Sequence, residues 1–244
     1  MQKEVHIKTS DKKTIYWILD TPGGKSKGVI IFVHGLTDNF DSHMFPNSAK
    51  YFTKKWYTTY RFNLYGERKK ERKLQEASLK SHIYDLNMVI KHFEKSSPNI
   101  FLVGHSFGWL TILYANIKNI NWIILRDSSI GGKELLDDVT YDTKNRSYTI
   151  DRWDGYKHTI GSNMYKDFLI DPEKHLKQIK KIHLPIKIIC AEKWLQRAGK
   201  KYYKAANNTK ELYIITWASH CFEEKWAEKK LFIETYDRVK RFST

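Results

Sequence analysis

The sequence predicts an α/β chain: a mostly parallel sheet of about eight strands flanked by helices, with a small cap-like insertion at residues 128–167. Three observations predict it. Short apolar runs alternate with longer amphipathic stretches along nearly the whole chain. One run, Gly28–Val33, is apolar almost throughout, as suits a strand buried on both faces. The alternation breaks once, from residue 128 to about 167, where Asp, Tyr, Gly and Thr dominate.

The elements follow in order. Glu4–Thr9 and Thr14–Asp20 read as strands joined by a polar turn at Asp11-Lys12-Lys13, a hairpin, and Pro22-Gly23-Gly24 breaks the chain before Gly28–Val33. A helix is predicted over Phe45–Lys55, a strand over Thr58–Leu64, and a charged loop over Glu67–Lys73. Ser78–Lys95 carries Ile83, Leu86, Val89, Ile90 and Phe93 at helical spacing, and Ser96-Ser97-Pro98 ends it. Strand Ile100–Val103, a helix from Ser106 to about Ile117 and strand Trp122–Leu125 come next. Beyond the insertion the rhythm resumes: helix Pro172–Lys181, strand Ile186–Cys190, helix Gln196–Ala206, strand Leu212–Thr216 and helix Glu223–Arg241. The whole is expected to form one domain over 1–244.

The 244 residues are enough for a substantial core, and 41% hydrophobic with 14% aromatic content argues against disorder. No run approaches the roughly 20 apolar residues of a transmembrane helix, and Met1-Gln2-Lys3-Glu4 does not open like a secretory signal, so a cytoplasmic location is expected. Cys190 and Cys221 form neither a disulfide framework nor a metal-ligand spacing. The net charge of +16 invites a nucleic-acid partner, but the basic residues are scattered and no recognition motif accompanies them; no such partner is expected. Oligomeric state is not legible in the sequence.

The strongest chemical signal is Gly104-His105-Ser106-Phe107-Gly108, placed between an apolar strand and an apolar helix. A strand-to-helix turn sharp enough to lift a serine oxygen clear of a sheet needs small residues on both sides, because backbone and helix approach closely there. The helix start also directs amides at the serine and favours negative charge beside it. His34-Gly35-Leu36 follows the strand Gly28–Val33, where the amide of Leu36 can join that of Phe107 as an oxyanion hole; His34 itself reads as structural. Ser219-His220 follows the strand Leu212–Thr216, a position from which an imidazole can reach Ser106.

These residues resemble the α/β-hydrolase superfamily, in particular its small esterase, acylglycerol-lipase and serine-aminopeptidase-like (S33-type) branch. The likeness covers nearly the whole chain: hairpin, His34-Gly35, the strand around Tyr60–Leu64, the helix with Asp85, the elbow, an insertion and the terminal histidine. It implies Ser106 as nucleophile, His220 as general base, no metal or organic cofactor, and a small-molecule acyl ester as substrate. The family's usual aspartate after the penultimate strand is missing; Ala191-Glu192-Lys193-Trp194 puts a tryptophan in its place. Three alternatives stand: Asp127 at the tip of the strand after the nucleophile, Glu192 with its longer side chain, or no acid at all. A peptidase or amidase on the same residues, or a non-catalytic binding protein of this fold, are the rival readings. Trp153, Tyr156, Tyr165 and Trp194 are candidate linings of an acyl pocket, and Arg68–Lys73 a candidate attractor of anions. Cys221 lacks an elbow and is not read as a nucleophile.

Overall fold

The computed structural model describes residues 1–131, 139–151, 155–207 and 209–242. Eleven strands and seven helices follow one another as β1 (Gln2–Lys8), β2 (Thr14–Asp20), β3 (Val29–Val33), α1 (Met44–Thr53), β4 (Thr58–Phe62), α2 (Leu79–Glu94), β5 (Ile100–His105), α3 (Gly108–Tyr114), β6 (Trp122–Arg126), β7 (Val139–Asp142), β8 (Ser147–Asp151), β9 (Lys157–Ile160), α4 (Ser162–Phe168), α5 (Pro172–Ile179), β10 (Ile186–Ala191), α6 (Gln196–Ala205), β11 (Lys210–Ile215) and α7 (Lys225–Val239). Eight strands form the main sheet in the order β1-β2-β4-β3-β5-β6-β10-β11. Only β2 runs against its neighbours, pairing antiparallel with both β1 and β4. The remaining pairings, from β4 to β11, are parallel.

Pleating divides the core between the two faces. Val29, Ile31 and Val33 point to a cluster under α2, α3 and α6, with Leu86, Leu110 and Tyr202. Ile30 and Phe32 point the other way, onto Phe45 and Phe52 of α1 and Leu231 and Phe232 of α7. All five β3 residues are buried, so the near-continuous apolar run is explained by cover on both sides. The loops that leave β3, β5, β6, β10 and β11 all emerge at one edge of the sheet, the carboxyl ends of the parallel strands.

Several ends differ from the sequence expectation. Strand β5 continues to His105, and α3 begins at Gly108 rather than Ser106. The same helix stops at Tyr114, not Ile117, because Ala115 turns extended and the side chain of Asn87 accepts from the Asn116 amide. Ser78 is the N-cap of α2, its hydroxyl accepting from the Ser81 amide. Between β6 and β10 the chain leaves the main sheet for a three-stranded antiparallel sheet, β7-β8-β9. Those strands were not anticipated within 128–167. Trp153 lies outside the described residues.

Candidate active site

Residues 104–108 form a turn that requires glycine at both ends. Ser106 sits at φ +51, in the left-handed region. A Cβ at Gly108 would lie 2.3 Å from the Val33 carbonyl oxygen, and one at Gly104 3.0 Å from the Trp109 nitrogen. The helix start is thus pressed against the end of β3, which brings the Phe107 amide beside the loop that follows β3.

In that loop the peptide between Gly35 and Leu36 is held from one side. The Leu64 amide donates to His34 Nε2 at 2.9 Å, so the proton lies on Nδ1, which donates to the Gly35 carbonyl at 2.8 Å. The Tyr65 hydroxyl donates to the same oxygen at 3.0 Å. With that carbonyl fixed, the trans peptide turns the Leu36 N–H the opposite way. Among the described residues neither the Leu36 amide nor the Phe107 amide has a protein acceptor. Burial drives the His34 imidazole below its ordinary range, consistent with a neutral, structural ring.

Asp127 follows β6 and also adopts a left-handed backbone, φ +41. Its side chain is completely buried. One carboxylate oxygen accepts from the Ala191 amide at 3.0 Å, and the other faces His220 Nδ1 at 2.5 Å. Arg126, one residue earlier, points to the opposite face, where it donates to Ser48 and Thr235 and makes no pair with Asp127. Glu192 does not approach His220. Its carboxylate accepts from the Trp217 amide at 2.8 Å, tying the loop after β10 to the loop after β11. Of the two candidate acids, Asp127 is therefore the one that faces His220, while one Glu192 oxygen is held by a backbone amide.

Ser106 and His220 line one cavity of about 290 Å³, together with Leu36, Asp38, His43 and Cys221. Of the candidate aromatic linings, the described Tyr156, Tyr165 and Trp194 are not among the residues of that wall. Tyr156 is exposed, Tyr165 stacks flat on Tyr148 at 3.8 Å between centroids, and Trp194 stands exposed with its ring 5.9 Å from that of His220. The polar character of the wall comes instead from the loop 37–43, which the sequence did not mark out. The basic loop offered as a candidate attractor of anions has three of its cations paired: Arg68 with Glu4, Lys73 with Glu67, and Arg72 turned inward to a two-pronged bond with Asp85 at 3.0 and 3.1 Å. Among the described residues no cluster of three or more His, Cys, Asp or Glu is placed to hold a metal. None of their helices is long and apolar enough to cross a membrane.

One site residue escaped sequence reasoning. His105, the second residue of the elbow, is buried, and its Nε2 lies 3.0 Å from the carbonyl oxygen of His220. The motif leaves that position free, so no local signal distinguishes it.

The backbone as a whole matches solved structures. The esterase domain of a Rhodothermus marinus protein superposes with a TM-score of 0.76 over 100% of both chains at 14% identity. Est1E from Butyrivibrio proteoclasticus, with ferulic acid bound, gives 0.79 over 97% of this chain and 99% of that one at 18% identity. The Pyrococcus furiosus esterase Pf2001 gives 0.71 over 100% and 93% at 19% identity. This chain has the α/β-hydrolase fold. Other α/β hydrolases, such as mouse alpha/beta hydrolase domain-containing protein 10, are similar in structure at 15% identity, and the likeness selects no single branch. No family model and no curated protein matches the sequence.

Proposed function

We propose that the protein is a serine hydrolase that cleaves carboxylic esters through an acyl-enzyme. The observation that carries this reading is the 2.5 Å contact between His220 Nδ1 and the buried Asp127 carboxylate, beside a cavity that also holds Ser106 on its elbow. With Nδ1 committed to Asp127, Nε2 is the nitrogen left to act as base. His220 takes the hydroxyl proton of Ser106 as Oγ attacks the ester carbonyl. The negative charge that develops on the carbonyl oxygen is met by the amides of Leu36 and Phe107. The imidazolium then returns its proton to the departing alkoxide, and water, deprotonated by the same nitrogen, releases the acid and restores Ser106. Asp127 keeps the ring in the productive tautomer and offsets its transient positive charge. The reading needs no metal or organic cofactor, and takes 128–167 as a cap-like insertion within a single domain.

The test is a fluorophosphonate probe followed by peptide mapping, with p-nitrophenyl acetate as a turnover substrate. Labelling at Ser106, lost in Ser106→Ala together with turnover, is the expected result. A folded wild-type chain that neither reacts with the probe nor turns over the ester rejects the proposal. Hydrolysis of aminoacyl p-nitroanilides without any of p-nitrophenyl acetate would instead favour an amidase on the same residues. The reading as a non-catalytic binding protein rested on Trp194 in the usual acid position, and Asp127 beside His220 removes that support.

A further inference from the structure

His220 stands on a loop, not on a strand or helix, and is partly exposed. Asp127 fixes one nitrogen of its ring. The place of the base nitrogen is set by the backbone that carries the ring as well as by Asp127, and displacements near 1 Å at a reacting atom cost about 100-fold in rate. Something must also fix the backbone of His220.

The candidate is His105. Its imidazole is 3% exposed, and Nε2 lies 3.0 Å from the carbonyl oxygen of His220. A carbonyl is only an acceptor, so Nε2 carries the proton and donates. The two rings lie 4.7 Å apart with planes 35° from parallel, so His105 also supports the face of the His220 ring. On its far side, Nδ1 faces the Asp38 carboxylate at 3.8 Å. Asp38 follows Leu36 by two residues, and its carboxylate also accepts from the Asn39 amide at 2.8 Å and from the Ser42 hydroxyl. Burial opposes ionisation of Asp38, but the facing His105 ring and the Ser42 hydroxyl outweigh it and hold the carboxyl at about 2.

Three loops therefore meet at one side chain: the elbow that carries Ser106, the loop that carries the Leu36 amide, and the loop that carries His220. We infer that His105 is a positioning residue that sets the base nitrogen of His220 against Ser106 by holding the His220 carbonyl. This rests on the reading of Ser106 and His220 as nucleophile and base.

Two amide side chains separate a role in positioning from mere packing. Glutamine at 105 places an N–H where Nε2 stands, whereas asparagine reaches only to the place of Nδ1. In wild type, His105→Gln, His105→Asn and Asp38→Asn, kcat and KM for p-nitrophenyl acetate are measured beside the rate of fluorophosphonate labelling and a thermal melt. His105→Gln is expected to stay within about 5-fold of wild type in kcat, His105→Asn to fall by about 10- to 100-fold, the range seen when an orienting partner of a functional histidine is removed. KM is expected to move less than about 2-fold in both, because binding is not what His105 controls. Asp38→Asn, 3.8 Å from Nδ1 and outside hydrogen-bond reach, should stay nearer wild type than His105→Asn, and labelling should follow kcat. Equal kcat in the two His105 variants, or a loss confined to KM, overturns the inference while leaving the hydrolase reading intact. If His105→Asn melts far below wild type, His105→Gln decides alone: folded, yet more than about 10-fold below wild type in kcat, it overturns the role. A wild-type chain inert to both ester and probe rejects the hydrolase reading, and the inference with it.

Discussion

The loops after β6 and after β10 leave adjacent parallel strands at the same edge of the sheet, and each offers a carboxylate one or two residues past the strand. They behave differently. The β6 loop is tied down over its first described residues, 127–129. The Asp127 amide donates to the Ile189 carbonyl at 2.7 Å, the Ser129 amide to the Ser106 carbonyl at 3.2 Å, and the Tyr202 hydroxyl to the Ser129 carbonyl at 3.0 Å. Asp127, Ser128 and Ser129 are all buried, and His175 closes the far end beside Gly131. The β10 loop is exposed from Glu192 to Trp194, and the Glu192 carboxylate is spent on the Trp217 amide. The comparison teaches that the carboxylate that reaches His220 is the one whose backbone is immobilised and turned into the left-handed region. Position relative to the family's usual pattern did not decide it.

Asp127→Asn tests this hardest. It keeps the shape but loses the charge and the correct partner for Nδ1–H, and should lower kcat by about 10³- to 10⁴-fold, as in serine proteases. A loss below 10-fold, with an equal loss in Glu192→Gln, would erase the distinction between the two loops. A middle-sized effect concerns the anchor of the β6 loop. Burial holds His175 at about 4, against 6.5 for a free imidazole, and the Tyr114 hydroxyl lies 2.8 Å from its Nδ1. Because the folded pKa lies below the unfolded one, this contribution is complete above about pH 6.5. As the pH falls towards 4 the unfolded chain binds a proton that the folded chain refuses. Urea unfolding at pH 7 and pH 4.5 should then lose about 2 kcal/mol more in wild type than in His175→Gln. Equal losses would show that His175 does not anchor the loop through its neutral state. The smallest effects belong to the β10 loop. Glu192→Gln, which still offers an oxygen to the Trp217 amide, and Trp194→Ala should each stay within about 3-fold of wild type in kcat, with stability changes near 0.5 kcal/mol as for other surface sites.

Much of this was legible in the sequence. The central strands β3, β5, β6 and β10 were marked by apolar runs, since cover on both faces leaves at most one polar side chain in each, whereas β1 is mostly exposed and shows only alternation. Glycines at 104 and 108 announced the elbow because close approach of two backbones leaves no alternative. The small sheet β7-β8-β9 was hidden by its polarity: its strands are mostly half-buried, so Thr, Tyr and Ser satisfy them as well as apolar residues would. A hairpin signal was nevertheless present in Tyr141-Asp142 and Ser147-Tyr148, whose turn is closed by Asp142 accepting from the amides of Lys144 and Asn145. The choice among Asp127, Glu192 and no acid was not legible. It depends on a backbone angle and on which amide captures Glu192, and neither leaves a trace in residue identity.

Ser106 and Asp127 share one further property. They follow strands in register, His105 opposite Arg126, and each is a non-glycine residue in a conformation that glycine adopts freely. At Ser106, relief by glycine is worth on the order of 1 kcal/mol to the folded state; at Asp127 the same relief is offset, because the buried Ala191 amide would lose its acceptor. A laboratory population of this gene, selected only for surviving heat, would therefore drift towards glycine at 106 and keep Asp127.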